Sequence, residues 1–119
     1  MNSKQKSIQF RLNTLKRSRI ELNALEERER TYSQLEMKTR SEEIQRRRED
    51  VIKLITSTEA IIKAIPDEFD RTIVSMYHVD CLPMDYVAEK TYCDRSTAWR
   101  HYTRGLDAII NTLNATEND

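Results

Sequence analysis

The sequence predicts an all-α protein in which a long N-terminal helical hairpin or coiled coil precedes a smaller C-terminal helical module. The 119-residue chain contains one glycine and two prolines, too few for the many tight turns of a sheet-rich fold. Its apolar residues recur at helical spacing, and 34% of all residues are charged. Such a composition is typical of helices with a wide solvated surface.

Two narrow apolar stripes run through residues 1–65, and each predicts one face of a helix. The first consists of Ile8, Leu12, Leu15, Leu22 and Leu25, with Arg19 in the gap of the heptad; the second consists of Ile44, Val51, Ile55, Ile62 and Ile65, with Arg48 and Thr58 in its gaps. A narrow stripe needs a partner to cover it. We expect the helices to pair within the chain and also between chains, as a homodimer.

Residues 31–43, which lie between the stripes, contain neither glycine nor proline. A reversal within them would give an antiparallel hairpin, which we favour, whereas continuity would give one very long helix. The sequence leaves both arrangements open.

Pro66 predicts the end of the second helix, since the residue before a proline is disfavoured in helical geometry. Asp67 and Glu68 suit the start of a third helix, whose apolar face would comprise Phe69, Ile73, Val74, Met76 and Tyr77. Residues 78–83 form a connector in which we expect His78 at the surface. Pro83 is placed to start a short fourth helix, with Met84, Val87 and Ala88 inward and Asp85 and Glu89 outward.

Asp94 is the expected N-cap of the last helix. Its inward positions would be Ala98, His101, Leu106, Ile109, Ile110 and Leu113. Residues 114–119 are polar and acidic, and we expect a flexible tail.

The run PMDYVAEKTYCDRSTAWRHYTRGL fits two helices joined by a tight turn, with the small Ala88 where they cross. The outer face of the second helix would carry Asp94, Arg95, Ser96, Trp99, Arg100 and Thr103. Arginine can form a bidentate pair with guanine, serine and threonine can reach bases or phosphates, and tryptophan can pack on sugar or a thymine methyl. The pattern therefore predicts contact with double-stranded DNA.

Residues 66–113 resemble region 4 of bacterial sigma factors, a helix-turn-helix domain. The segment IPDEFDRTIVSMYHVDCLPMDYVAEKTYCDRSTAWRHYTRGLDAI resembles, more closely, the C-terminal half of phage-encoded ArpU/RinA-type transcriptional regulators. The resemblance implies a sequence-specific activator in a bacterial host cell. It puts the DNA-reading face on Arg95, Ser96, Trp99 and Arg100, and the backbone-contacting face on Thr103 and Arg104.

Three residues depart from the pattern of that family. Tyr92 stands where the turn usually has glycine, and would be strained in a left-handed conformation. His101 replaces an inward aliphatic residue, and Thr91 replaces a residue that is often apolar.

Two alternatives to a transcriptional regulator remain open, and the charge distribution supports the first of them. Residues 1–65 carry 15 basic and 10 acidic side chains, a net charge of +5, whereas residues 66–119 carry 5 and 10, a net charge of −5. An acidic C-terminal half suits a coiled-coil interaction protein that binds a protein such as RNA polymerase. The other alternative is the DNA-recognition subunit of a phage packaging terminase, which also joins a helix-turn-helix to helical oligomerisation segments.

Other classes of function lack their sequence signals. We find no glycine-rich phosphate loop, no His or Cys cluster at metal-ligand spacing and no nucleophile with an identifiable base, so we expect neither an enzyme nor a cofactor or metal protein. Cys81 and Cys93 are read as free thiols. No apolar run reaches membrane-spanning length, and we expect a cytoplasmic protein.

Overall fold

A computed structural model describes residues 1–34 and 38–117. These residues form five α-helices and no β-strand, which confirms the all-α prediction. The helices are α1 (Ser3–Gln34), α2 (Lys38–Lys63), α3 (Glu68–His78), α4 (Met84–Lys90) and α5 (Arg95–Glu117). None of them is long and apolar enough to cross a membrane.

Helices α1 and α2 pack side by side and run in opposite directions. Gln45 Nε2 of α2 donates to Glu29 Oε1 of α1 over 2.9 Å, and Arg19 of α1 pairs with Glu59, further along α2. The partner that lies earlier in α1 pairs with the residue that lies later in α2. The two helices are therefore antiparallel. Residues 35–37, which link the two helices and belong to the segment where a reversal was expected, lie outside the described part of the chain.

The two apolar stripes meet in the seam between α1 and α2. The buried members are Ile8, Leu12, Leu15, Leu25, Val51, Ile62 and Ile65, and the half-buried members are Leu22, Ile44 and Ile55. Arg19, in the gap of the first stripe, also donates to the backbone oxygen of Val79 over 2.6 Å. Thr58, in the gap of the second, is buried and donates to the Leu54 carbonyl over 2.8 Å. Backbone and carboxylate acceptors thus satisfy Arg19 and Thr58. Arg48, in the other gap of the second stripe, pairs with Glu29 through Nη1 over 3.0 Å, but its buried Nε has no hydrogen-bond partner among the described residues.

A single hydrophobic core joins the N-terminal helices to the C-terminal ones. Ile8, Leu12 and Leu15 of α1 belong to the same buried cluster as Tyr102 and Leu106 of α5. Gln5 Nε2 of α1 also donates to Asp107 Oδ1 of α5 over 2.8 Å. The break at Pro66 is therefore a boundary between helices, while the core continues across it.

The junction between α2 and α3 is held by side chains that cap the helix ends. Asp67 Oδ1 accepts from the backbone N–H of Asp70 over 2.9 Å at the start of α3, as expected of an N-cap. Arg71 Nη1 donates to the Ile65 carbonyl over 3.0 Å, near the end of α2.

Helix α3 lies close against α5 at Gly105. A Cβ atom there would lie 2.6 Å from Val74 Cγ2, closer than two carbon atoms can pack without a shift. The sole glycine of the chain thus permits this approach. Helix α5 then continues to Glu117, so residues 114–117, expected in a flexible tail, are helical; residues 118–119 lie outside the described part.

Candidate nucleic-acid interface

Residues 91–94 link α4 to α5 in a tight turn that starts from the hydrogen-bonded end of α4. The Cys93 N–H donates to the Ala88 carbonyl over 3.1 Å and the Tyr92 N–H to the Glu89 carbonyl over 3.3 Å. This pair of bonds is the Schellman pattern, which places the residue after the C-cap in the left-handed region. Tyr92 occupies that position with φ 58°, and its side chain is 96% exposed.

Asp94 then caps the first turn of α5, as predicted. Its Oδ1 accepts from the Thr97 backbone N–H over 2.7 Å and from the Ser96 hydroxyl over 2.9 Å. The backbone hydrogen bond from Thr97, followed by the side-chain bonds from Thr97 and Ser96, lowers the pKa of Asp94. The aspartate fixes the direction in which α5 leaves the turn and engages the Ser96 hydroxyl.

Helix α4 is buried on the face that the sequence predicts. Met84, Val87 and Ala88 are buried, whereas Asp85 and Glu89 are exposed. Ala98 near the start of α5 is fully buried in the same cluster. The start of α5 is therefore held on one side by α4, while its other side faces solvent.

Arg95, Arg100 and Arg104 all lie exposed on α5. Arg95 Nε is 3.2 Å from Asp85 Oδ1 of α4, and Arg100 Nη2 donates to Thr97 Oγ1 over 3.3 Å. Arg104 Nε lies 3.6 Å from Asp70 Oδ2 of α3. The contacts of Arg95 and Arg100 are exposed and exchange readily with solvent or a ligand, whereas the partner of Arg104, Asp70, is buried.

Trp99 is less exposed than the sequence pattern suggests. It is half-buried, and its ring packs edge to face against Tyr77 and Tyr102, with centroids 5.6 Å and 5.3 Å away. Thr103 is also half-buried and donates to the Trp99 carbonyl over 2.9 Å. Tertiary contact with the end of α3 draws the indole inward, which helical spacing alone does not reveal.

Asp70 joins α3 to the outer side of α5, and sequence reasoning missed it. Its side chain is 4% exposed, its Oδ1 lies 2.7 Å from His101 Nδ1, and its Oδ2 faces Arg104. The Phe69 ring packs edge to face on His101 at 4.5 Å. In the sequence, Asp70 stands out only because it lies in the first turn of α3. An acidic residue at that place suggests a favourable charge at the helix N-terminus and not a buried partner for His101 and Arg104.

His78, expected at the surface, is buried at the end of α3. It is 4% exposed, and its Nε2 lies 2.7 Å from the Tyr102 hydroxyl of α5. Burial lowers the pKa of His78 to about 4 and raises the pKa of Tyr102 well above its usual range. The surface prediction was wrong because α3 extends through this residue, so that α5 covers its ring.

The first turns of α5 thus form an exposed polar surface carrying Arg95, Ser96 and Arg100, supported from behind by α4 and an aromatic cluster. Acidic groups also flank it, since Asp85 and Asp94 are exposed at the same end of α5. Such a surface can donate hydrogen bonds to a groove of DNA or to an acidic protein partner. No protein-family model, curated protein or solved structure matches this chain.

Proposed function

We propose that the chain is a sequence-specific DNA-binding transcriptional regulator that inserts the helix from about Asp94 into the major groove of double-stranded DNA. The observation that carries the proposal is the free, capped start of α5, which bears Arg95, Ser96 and Arg100. A recognition helix in this class of protein presents its first turns to base edges.

The contacts of Arg95 and Arg100 suit exchange onto DNA. Arg95 and Asp85 are 67% and 75% exposed in their side chains, so their ion pair is weak in water and can open at little cost. Arg100 is held by a neutral hydroxyl alone. We assign base reading to Arg95 and Arg100, and phosphate contact to Arg104, which lies further along the helix.

Trp99 and Thr103 take a different role in the proposal from the one that the family resemblance implies. Because Trp99 packs on Tyr77 and Tyr102, it orients α5, and only its outer edge remains to touch sugar or a thymine methyl. Thr103 donates to the Trp99 carbonyl, which leaves its oxygen as an acceptor and places it at the margin of the surface.

The biological setting rests on the resemblance to phage regulators. We propose an activator encoded by a phage or mobile element and acting in the bacterial cytoplasm. Homodimerisation is also part of the proposal, although α1 and α2 cover each other's stripes within the chain, so a dimer would use another surface. Sedimentation tests it, and a ring of many subunits would instead favour a packaging terminase.

Selection of bound duplexes from a random DNA pool tests the function. Binding isotherms of the selected duplex and a scrambled one, at several salt concentrations, then measure affinity and its salt dependence. Arg95→Ala or Arg100→Ala should cost roughly 1–3 kcal/mol on the selected duplex and much less on a scrambled one. Arg104→Ala should weaken both duplexes alike and reduce the salt slope by about one unit. Arg46→Ala, exposed on α2, is the matched control and should bind like the parent.

A second candidate is binding of a protein partner such as RNA polymerase. The net charge of −5 over residues 66–119 favours it, because an acidic module repels the phosphate backbone at long range. If the three α5 variants bind both duplexes as the parent does, or if no duplex is selected, DNA reading is wrong. Loss of polymerase binding in the same variants would then support the second candidate.

A further inference from the structure

A cleft of about 370 Å³ lies between α1 and the connector that follows α3. Leu12, Asn13 and Lys16 form one wall, and Tyr77, His78, Cys81, Leu82 and Pro83 form the other. Ligand pockets in proteins span roughly 300–1,000 Å³ and combine an apolar lining with a few placed polar groups. The cleft has this character, and it lies apart from the exposed start of α5.

The polar groups of the cleft are hydrogen-bond donors. Lys16 and Asn13 are exposed on successive turns of α1 and supply an ammonium group and an amide. His78 is buried at 4% exposure, and its Nε2 is occupied by Tyr102. Its Nδ1 has no hydrogen-bond partner among the described residues, and His78 is one of the residues that line the cleft.

The hydrogen bond to Tyr102 leaves His78 with one nitrogen for a ligand. The two atoms, His78 Nε2 and the Tyr102 hydroxyl oxygen, are 2.7 Å apart, and either of them can be the donor. Burial lowers the pKa of His78 and so favours the neutral ring, which carries one proton. When the Tyr102 hydroxyl donates to Nε2, that proton is on Nδ1, and Nδ1 can donate to a ligand in the cleft.

We propose that this cleft binds a small organic anion with an apolar body. The anionic group, a carboxylate or its equivalent, would accept hydrogen bonds from Lys16, Asn13 and His78 Nδ1. The apolar body would pack on Tyr77, Leu82 and Pro83. Lys16 is the one charged residue among those that line the cleft, so the site favours an anion over a neutral or cationic ligand of the same shape.

The test is a titration of the full ¹⁵N-labelled chain with 3-phenylpropionate. Binding is monitored by NMR through the backbone amide resonances and the ring nitrogens of His78. Saturable shifts are expected at Asn13, Lys16, Cys81 and Leu82 and at His78 Nδ1, with a Kd on the order of 1 mM, ordinary for so small a ligand. The neutral analogue 3-phenylpropanamide should bind about tenfold more weakly, because it lacks the charge-assisted hydrogen bond.

Two lysine variants make the test specific. Lys16→Gln should weaken 3-phenylpropionate by about tenfold and abolish its preference over the amide. Lys6→Gln changes another exposed lysine of α1 and should bind like the parent. Both sites are exposed, so folding is retained. The absence of saturable shifts in the parent, equal affinity for acid and amide, or equal weakening by both variants would overturn the proposal. A DNA titration has no bearing on this result.

Discussion

Tyr92 combines two unfavourable properties at one position of the turn between α4 and α5. Its φ of 58° lies in the left-handed region, where a Cβ atom crowds the following carbonyl. Its ring is 96% exposed, so packing does not compensate the strain. Glycine would satisfy the hydrogen bonds of the same turn without the crowding.

Tyr92→Gly should therefore raise the free energy of unfolding by about 0.5–1 kcal/mol, the relief of strain less the added freedom of glycine in the unfolded chain. Urea denaturation followed by circular dichroism measures it. Tyr92→Ala is the matched control, because it removes the ring and keeps the Cβ atom. Equal stability of the two variants would show that the ring, and not the backbone, sets the energy of this turn.

His78 makes the stability of the protein depend on pH. Its pKa falls from 6.5 in the unfolded chain to about 4 in the fold because burial disfavours the imidazolium. The unfolded state therefore binds the extra proton first as the pH decreases. The contribution of His78 is fully present above pH 6.5 and is lost progressively as the pH falls toward about 4.

The loss over this window should amount to roughly 3 kcal/mol for His78. Carboxylates also titrate near its lower end, so the measurement is the difference between the parent and His78→Gln, which keeps a polar partner for Tyr102. Denaturant unfolding at a series of pH values should show a steeper decline for the parent. If the free energy of unfolding declined equally with pH in the two proteins, the folded protein would protonate this ring over the same pH range as the unfolded chain.

At the scale of the helices, the sequence predicts the features that depend on residues within one or two helical turns. The N-caps Asp67 and Asp94 were recognisable because capping needs only a carboxylate and backbone N–H groups within one turn. The stripes of α1 and α2 were recognisable because burial follows the helical period. Pattern also placed Arg95 and Arg100 on the exposed side of α5.

What the sequence could not predict depends on the approach of one helix to another. Trp99 turns inward because Tyr77 of α3 lies beside it. His78 is buried and Asp70 is paired because α5 covers both. Residues distant along the chain make these contacts, and one sequence does not specify which helix faces meet.

The contact between α3 and α5 at Gly105 leads to a prediction at this scale. Gly105→Ala would ordinarily favour a helix by about 1 kcal/mol, but the new methyl group would lie 2.6 Å from Val74 Cγ2. We expect a net loss of about 1–3 kcal/mol from overpacking. Thermal unfolding of Gly105→Ala, Val74→Ala and the double variant forms a cycle.

The double variant should be more stable than the sum of the two single changes implies, because Val74→Ala removes the clashing atom. Strict additivity would contradict a direct clash between the two positions.

At the scale of the whole molecule, one core contains residues of all five helices. Leu12 of α1 is 1% exposed in this cluster, and Leu12→Ala should lower the free energy of unfolding by about 2–5 kcal/mol. Trp99, the sole tryptophan, lies in α5 and can report the change by fluorescence. Its denaturation midpoint should shift together with that of the helical circular dichroism signal.

Phe10→Ala is the matched control on the same helix, because Phe10 is 74% exposed and its loss should leave the midpoint nearly unchanged. Separate fluorescence and circular dichroism transitions in the parent would mean that α1 and α2 unfold independently of the C-terminal helices.

The bond between Gln5 and Asp107 has a consequence for how the chain folds, since it joins residues 102 positions apart. Most helical proteins fold fast because their contacts are local, and distant contacts slow the search for the native topology. On the ribosome, the N-terminal side of the core must wait until α5 has emerged. Until then α5 cannot cover Ile8, Leu12 and Leu15, and this apolar surface is exposed to aggregation during synthesis.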